Sequence, residues 1–236
     1  MPQQYFRPIP KTGRLPAAVV FDLDKTLING DTTLGWTEYL YEKGIVSDPR
    51  FREANRRLVK DYRAGCLDLA AWLRDAVPAY EGLGAEERGR LVESFIREKI
   101  EPAVYRDAME RIEAARAAGM SLFIISASAA FLVRPIGRLV FGIDHAVGTD
   151  LVEIDGHLTP EIAGTASFQE GKIVRLREEL DRAGLTMDEA LFFTDSRNDL
   201  PLALAVGDVE CVNPDHTLRE AAMKNRWRVS SWILTR

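Results

Sequence analysis

The sequence predicts a doubly wound α/β protein: a three-layer parallel sheet of Rossmann type, interrupted early by an inserted α-helical segment. Short apolar runs at residues 17–21, 122–125, 191–193 and 209–212 alternate with stretches of helical periodicity. The first three runs are apolar throughout and the fourth is broken only by Glu210, the pattern of strands covered by helices on both faces. Between the first run and the others, residues 32–100 carry helical spacing and almost no strand signal.

Taken in order, residues 1–16 combine prolines with scattered charge and lack the apolar core of a signal peptide, which predicts a flexible N-terminal arm. The first strand follows and breaks at Ile28-Asn29-Gly30-Asp31, a turn sequence. A helix over 32–43 places Leu34, Trp36, Tyr39 and Leu40 at helical intervals and stops at Gly44. Three more are predicted over 49–64, 67–76 and 86–100, the first of them strongly charged and ended by Gly65. From residue 104 helices and strands alternate: helix 104–118, strand 122–125, helix 130–139, a strand and hairpin over 145–152 and 157–158, helix 172–183, strand 191–193, helix 200–206, strand 209–212, helix 218–225 and a last strand near Val229. Gly30 and Pro102 bound the insertion, giving an α/β core over 17–30 and 101–236 with a helical domain over 31–100.

Composition narrows the functional classes. A hydrophobic content of 46% and a charged content of 28% are those of a globular protein. A net charge of −5 argues against a nucleic-acid surface, and no run is long enough to span a bilayer. Cys66 and Cys211 form no paired spacing, so both are expected to be reduced, in a cytoplasmic setting.

Three strands run into polar clusters: Asp22-Leu23-Asp24-Lys25-Thr26, Ser126, and Thr194-Asp195-Ser196-Arg197-Asn198-Asp199. Ligands of parallel sheets bind beyond the carboxyl ends of the strands, so the clusters are expected to face one crevice. Lys172, after Gly171 at a helix start, adds a cation. Taken singly, Lys172 reads as a surface lysine, Ser126 as a strand-end hydroxyl, and Asp195 and Asp199 as helix caps. Their combination and order carry the functional reading.

These pieces resemble the motifs of the haloacid dehalogenase superfamily of aspartate-nucleophile phosphatases. Residues 21–27 are similar to its first motif, Ile125-Ser126 to its second, Lys172 to its third and residues 195–199 to its fourth. The insertion after the first motif resembles the helical cap of the phosphoserine phosphatase-like branch. The resemblance implies Asp22 as nucleophile, forming an aspartyl-phosphate, and Asp24 as general acid and base. It implies Mg²⁺ held by the Asp22 carboxylate, the Asp24 backbone carbonyl and Asp195, with Asp199 in support. Lys172 would balance the nucleophile and the phosphoryl oxygens, which Ser126, the backbone at Ala127 and Asn198 would contact. Dehalogenating members lack an acid at the second aspartate and ATPases carry threonine there, so Asp24 implies a phosphatase or phosphomutase.

The implied substrate is a small phosphomonoester. Asp31 has two readings, a carboxylate for a substrate ammonium or the N-cap of the following helix. Trp36 would wall the pocket or pack the cap. The basic run Arg52, Arg56, Arg57, Lys60 and Arg63 reads as a solvated face from which one arginine could reach a substrate carboxylate. Phosphoserine phosphatases follow the second-motif serine with two glycines; here Ala127-Ser128-Ala129 stands instead, leaving histidinol phosphate, phosphoethanolamine and phosphoserine-like esters open. A phosphotransferase or mutase using the same aspartyl-phosphate, and a non-catalytic phospho-ligand module, are the alternatives.

Overall fold

A computed structural model describes residues 5–77 and 82–234. Strands β1 (Ala18–Phe21), β2 (Ser121–Ala129), β3 (Ala146–Thr149), β6 (Ala190–Thr194), β7 (Asp208–Val212) and β8 (Arg228–Ser230) form one sheet in the order β3-β2-β1-β6-β7-β8. Every pairing in it is parallel. The chain winds outward from β1 in both directions, so the switch point lies between β1 and β6.

The apolar runs explain the layers. Successive residues of a strand point to opposite faces, and here both faces are apolar. Ala18, Val20, Phe123, Ile125, Phe192 and Val209 pack on one side against α7 (Glu170–Arg182), α8 (Leu200–Ala205) and α9 (His216–Asn225). Val19, Phe21, Ile124, Leu191 and Phe193 pack on the other against α5 (Arg106–Ala117) and α6 (Ala130–Ile136).

The insertion forms α1 (Thr32–Glu42), α2 (Pro49–Ala64), α3 (Leu69–Ala76) and α4 (Ala85–Phe95), the last continuing through a π turn at Ile96–Ile100. Asp31, Asp48 and Asp68 cap the first three by accepting backbone N–H bonds, and Gly65 closes α2 with a left-handed residue. The two connections to the core lie side by side: Asn29 N donates to the Ala103 carbonyl at 2.7 Å and Tyr105 N to the Leu27 carbonyl at 3.1 Å. Buried Arg88 of α4 donates to the Gly156 carbonyl and to Glu153, docking the insertion on a core hairpin. No helix among the described residues is long and apolar enough to cross a membrane.

Two expectations are corrected. The predicted strand over 145–152 divides. Its first part is β3, an edge strand of the main sheet, while β4 (Leu151–Ile154) pairs antiparallel with β5 (His157–Ile162) in a separate hairpin. Periodicity marks extended segments but not their partners. The arm expected to be flexible packs on the core at residues 5–9, while residues 10–15 are exposed: Phe6 and Ile9 are 3% and 1% exposed, and Arg7 grips Asp208 through two bonds of 2.8 Å. Two apolar residues three apart suffice to anchor it, because Gly207 leaves room for Ile9. Residues 1–4 lie outside the described residues.

Phe6→Ala should therefore lower stability to urea by about 3 kcal/mol, as for a buried aromatic. An unchanged unfolding midpoint would mean that the arm does not pack in solution.

Candidate active site

The site stands at the switch point. Asp22 follows β1 directly, and its N–H donates to the Phe193 carbonyl at 2.9 Å, tying it to the neighbouring strand. Lys172 reaches it from the first turn of α7. Gly171 lets that helix start close to the preceding loop, since a Cβ there would lie 2.0 Å from the Ala166 carbonyl oxygen. The Lys172 ammonium is 2.8 Å from Asp22 Oδ1 and 2.7 Å from Asp199 Oδ1, with all three side chains buried. The other Asp199 oxygen accepts the Thr194 hydroxyl at 2.7 Å. Asp199 is thus occupied by protein donors at both oxygens, and its contacts are those of a support for Lys172.

The electrostatics follow from burial. Burial pushes Asp22 up to about 7, with Asp199 and Asp24 adding to it against the opposing pull of Lys172. Burial and the charge of Asp22 hold Asp195 well above the usual carboxylate range. Burial alone would lower Lys172, but Asp199 and Asp22 raise it, so it stays charged. Such crowded hard oxygen donors suit a divalent cation, which would relieve the repulsion between Asp22 and Asp195. Among the described residues no three carboxylate, imidazole or thiol side chains form a metal cluster. A cation at Asp22 and Asp195 would complete its shell with backbone oxygen and water, as Mg²⁺ commonly does.

Asp24 is held differently. Its Oδ1 accepts the Thr32 N–H at 2.6 Å and the Thr32 hydroxyl; its Oδ2 accepts the Ser128 hydroxyl at 2.7 Å and that of Ser126 at 3.4 Å. Asp31 caps α1 through Leu34 N at 3.1 Å and lies 3.6 Å from Lys25, so the N-cap reading applies, yet its side chain also lines the cavity. Burial and Asp24 raise its pKa.

The cavity above these groups has about 850 Å³ of empty space, open solvent at the mouth included. Asp22, Asp24, Lys25, Asp31, Ser126, Ala127 and Ser128 form its polar end, and Leu34, Leu58, Leu67, Trp72 and Leu151 its apolar wall. Two predicted substrate contacts fall elsewhere. Trp36 is 2% exposed and packs against Tyr39, Phe95 and Phe131, because two residues of helix turn it away from the face carrying Leu34. Asn198 is buried and donates to the Tyr62 carbonyl at 3.0 Å, joining the fourth-motif loop to α2. Of the basic run, Arg52, Arg56 and Arg57 pair with Glu38, Glu53 and Asp75, Lys60 is exposed, and the Arg63 side chain lies outside those described.

Sequence reasoning missed Lys25, Ser128 and Tyr62. Lys25 has φ +62°, unusual for lysine, and its ammonium faces Asp31 and the Tyr62 ring. Tyr62 sits where burial and the nearby charges of Asp199 and Asp22 raise its pKa, although it belongs to a helix whose sequence reads as a charged surface.

A family model for haloacid dehalogenase-like hydrolases matches residues 19–204. The chain belongs to this family. It is 35% identical over 214 residues to a histidinol-phosphatase of Neisseria meningitidis serogroup C, covering 89% of this chain and 96% of that protein. A solved Bordetella pertussis Tohama I protein described as of unknown function superposes with a TM-score of 0.81 at 33% identity, over 90% of this chain and 96% of that one. A phosphoserine phosphatase solved as a phospho-aspartyl intermediate analogue shares the fold, with a TM-score of 0.65 at 20% identity and 93% of each chain covered. This haloacid dehalogenase-like chain gathers the ends of β1, β2 and β6 and the start of α7 into one crevice.

The raised Asp22 and Asp195 carboxyls dictate a pH dependence. In the metal-free protein they hold protons that they lose on unfolding, so the folded state binds more protons and stability falls as pH rises from about 4 to about 7. Urea unfolding across that window in a chelator should show a slope that Asp195→Asn shifts toward greater stability at the upper end. An identical slope in the variant would contradict the assignment.

Proposed function

We propose that the protein is a Mg²⁺-dependent phosphomonoesterase acting on a small amino-alcohol phosphate through an aspartyl-phosphate. The observation that carries this is the buried Lys172 held between Asp22 and Asp199 beneath a cavity that also receives Asp24. A carboxylate beside a fixed cation, with a second carboxylate two residues away on its own hydrogen bonds, is a nucleophile and proton-donor pair.

An oxygen of Asp22 bonds to phosphorus while the bond to the leaving oxygen breaks, and that oxygen takes a proton from Asp24. Water then bonds to phosphorus, gives a proton to Asp24 and releases Asp22, leaving inorganic phosphate. Lys172 keeps Asp22 oriented and opposes charge on the phosphoryl oxygens. Ser126 and Ala127 line the cavity with Asp22 and Asp24, where the hydroxyl and the backbone would contact the phosphoryl oxygens. Asp22, the Asp24 carbonyl and Asp195 would hold Mg²⁺, which neutralises the repulsion between nucleophile and phosphate. The helical insertion covers the cavity as a cap and keeps bulk water from the reacting atoms.

The lining supports an amine-bearing substrate. Asp31 places a carboxyl group at the cavity wall, and Lys25, already engaged with it, is the one cationic side chain among the described residues lining the cavity. A substrate α-carboxylate has no described arginine to meet it, whereas an ammonium meets Asp31 and an apolar or aromatic body meets Leu34, Leu58 and Trp72. The likeness to a histidinol-phosphatase over nearly its whole length accords with this.

Phosphate release should be fastest with histidinol phosphate and other carboxylate-free amino-alcohol phosphates, and slower with phosphoserine. Asp31→Asn should raise KM for the amines about tenfold or more, with little change for glycerol phosphate, and Asp22→Asn should abolish turnover of all of them. Equal use of phosphoserine and phosphoethanolamine would overturn the specificity. Wild-type turnover in Asp22→Asn would overturn the mechanism.

A further inference from the structure

The two oxygens of Asp24 are not equivalent. Oδ1 faces the backbone N–H of Thr32, which can only donate, at 2.6 Å, together with the Thr32 hydroxyl. Oδ2 faces hydroxyls, which can donate or accept: Ser128 at 2.7 Å and Ser126 at 3.4 Å. A proton on Oδ1 would compete with that fixed N–H and weaken a charge-assisted bond in the first turn of α1, whereas Oδ2 meets hydroxyls alone. When Asp24 carries a proton, that proton therefore sits on Oδ2, on the Ser128 side.

Ser128 is built into its place. It is 6% exposed, its N–H donates to Ser126 Oγ at 3.1 Å, and its hydroxyl lies 3.0 Å from Thr33 Oγ1. The strand irregularity between Ile125 and Ala129 turns it toward the cavity, and β3 crosses close behind. Gly148 permits that approach, since a Cβ there would lie 2.7 Å from the Ser128 carbonyl oxygen. With its one proton given to Asp24, the Ser128 hydroxyl accepts from Thr33, and a directed chain runs from Thr33 through Ser128 to Oδ2.

We propose that Oδ2 is the proton-donating oxygen of Asp24 and that Ser128 is the positioning residue that aims it, linked through Thr33 to the first helix of the insertion. The proposal rests on the role of Asp24 as general acid given above. As the bond from phosphorus to the leaving oxygen breaks, the proton on Oδ2 passes to that oxygen, and the ionised Oδ2 keeps the Ser128 hydroxyl as its donor. One hydroxyl thus serves both forms of Asp24 by reversing the direction of its bond.

The test compares kcat/KM, which reports the step that forms the aspartyl-phosphate, for phosphoethanolamine and dinitrophenyl phosphate. The alkoxide of the first needs a proton to leave and the phenolate of the second does not. Ser128→Ala should cost about tenfold on phosphoethanolamine and less than about threefold on the aryl ester, and Ser128→Thr, which keeps the hydroxyl, should recover most of the loss. Asp24→Asn should show the same split enlarged to about 10² or more, and adding Ser128→Ala to it should cost nothing further. Equal losses on both esters in Ser128→Ala, or an additive loss in the double variant, would overturn the positioning role. If Asp24→Asn itself shows no split between the esters, the general-acid assignment falls, and the role of Ser128 falls with it. Thermal unfolding of each variant separates these outcomes from failure to fold.

Discussion

The site depends on the burial of one lysine between two aspartates. Three fully enclosed charges are costly in a protein interior, and removing one partner from such a group typically costs about 3–5 kcal/mol. Lys172 with Asp22 and Asp199 is tolerable because the pieces arrive pre-positioned: Asp22 by the parallel bond from β1 to β6, Asp199 by Thr194, and Lys172 by a helix that begins close under the 166 carbonyl. Even so, the acids outnumber the cations. Asp24, Asp31 and Asp195 add carboxyl groups that Lys25 only partly answers, and the raised pKa values of Asp22, Asp31 and Asp195 record that crowding. A further cation would favour the entry of a phosphate dianion into such a place, which is the physical reason for proposing Mg²⁺.

The second organising feature is that the insertion shares bonds with the machinery. Thr32 and Thr33 meet Asp24 and Ser128, Asn198 donates to the Tyr62 carbonyl, and Gln169 Nε2 lies 3.5 Å from the Gly65 carbonyl. Both ends of the α1 to α2 segment are therefore fastened to loops carrying reacting groups. In the proposed reading, substrate choice and acid chemistry would be coupled through the same first turn of α1, where Asp31 faces the cavity and Thr32 holds Asp24.

Much of this was legible in the sequence. The apolar runs marked β1, β2 and β6 because strands buried on both faces are mostly apolar, β7 was legible despite its buried Asp208 and Glu210, and the acids at the strand ends fell in one crevice once the sheet was parallel. What escaped depended on neighbours distant in sequence. Helical spacing puts Trp36 on an apolar face but does not say whether that face meets the cavity or Phe95. The docked arm turns on two residues, Phe6 and Ile9, too few for any periodic signal. Tyr62 lies on a helix whose charge pattern reads as solvent-facing, and Ser128 gains its importance only when an irregular strand brings it to Asp24.

The proposed mechanism requires a covalent phosphoryl group at Asp22. Acid quench of the enzyme during turnover of phosphoethanolamine with Mg²⁺, followed by borohydride reduction and peptide mass spectrometry, reads it directly. The account predicts homoserine at position 22, dependent on substrate. Steady phosphate release with an unmodified Asp22, or homoserine at another aspartate, would contradict it.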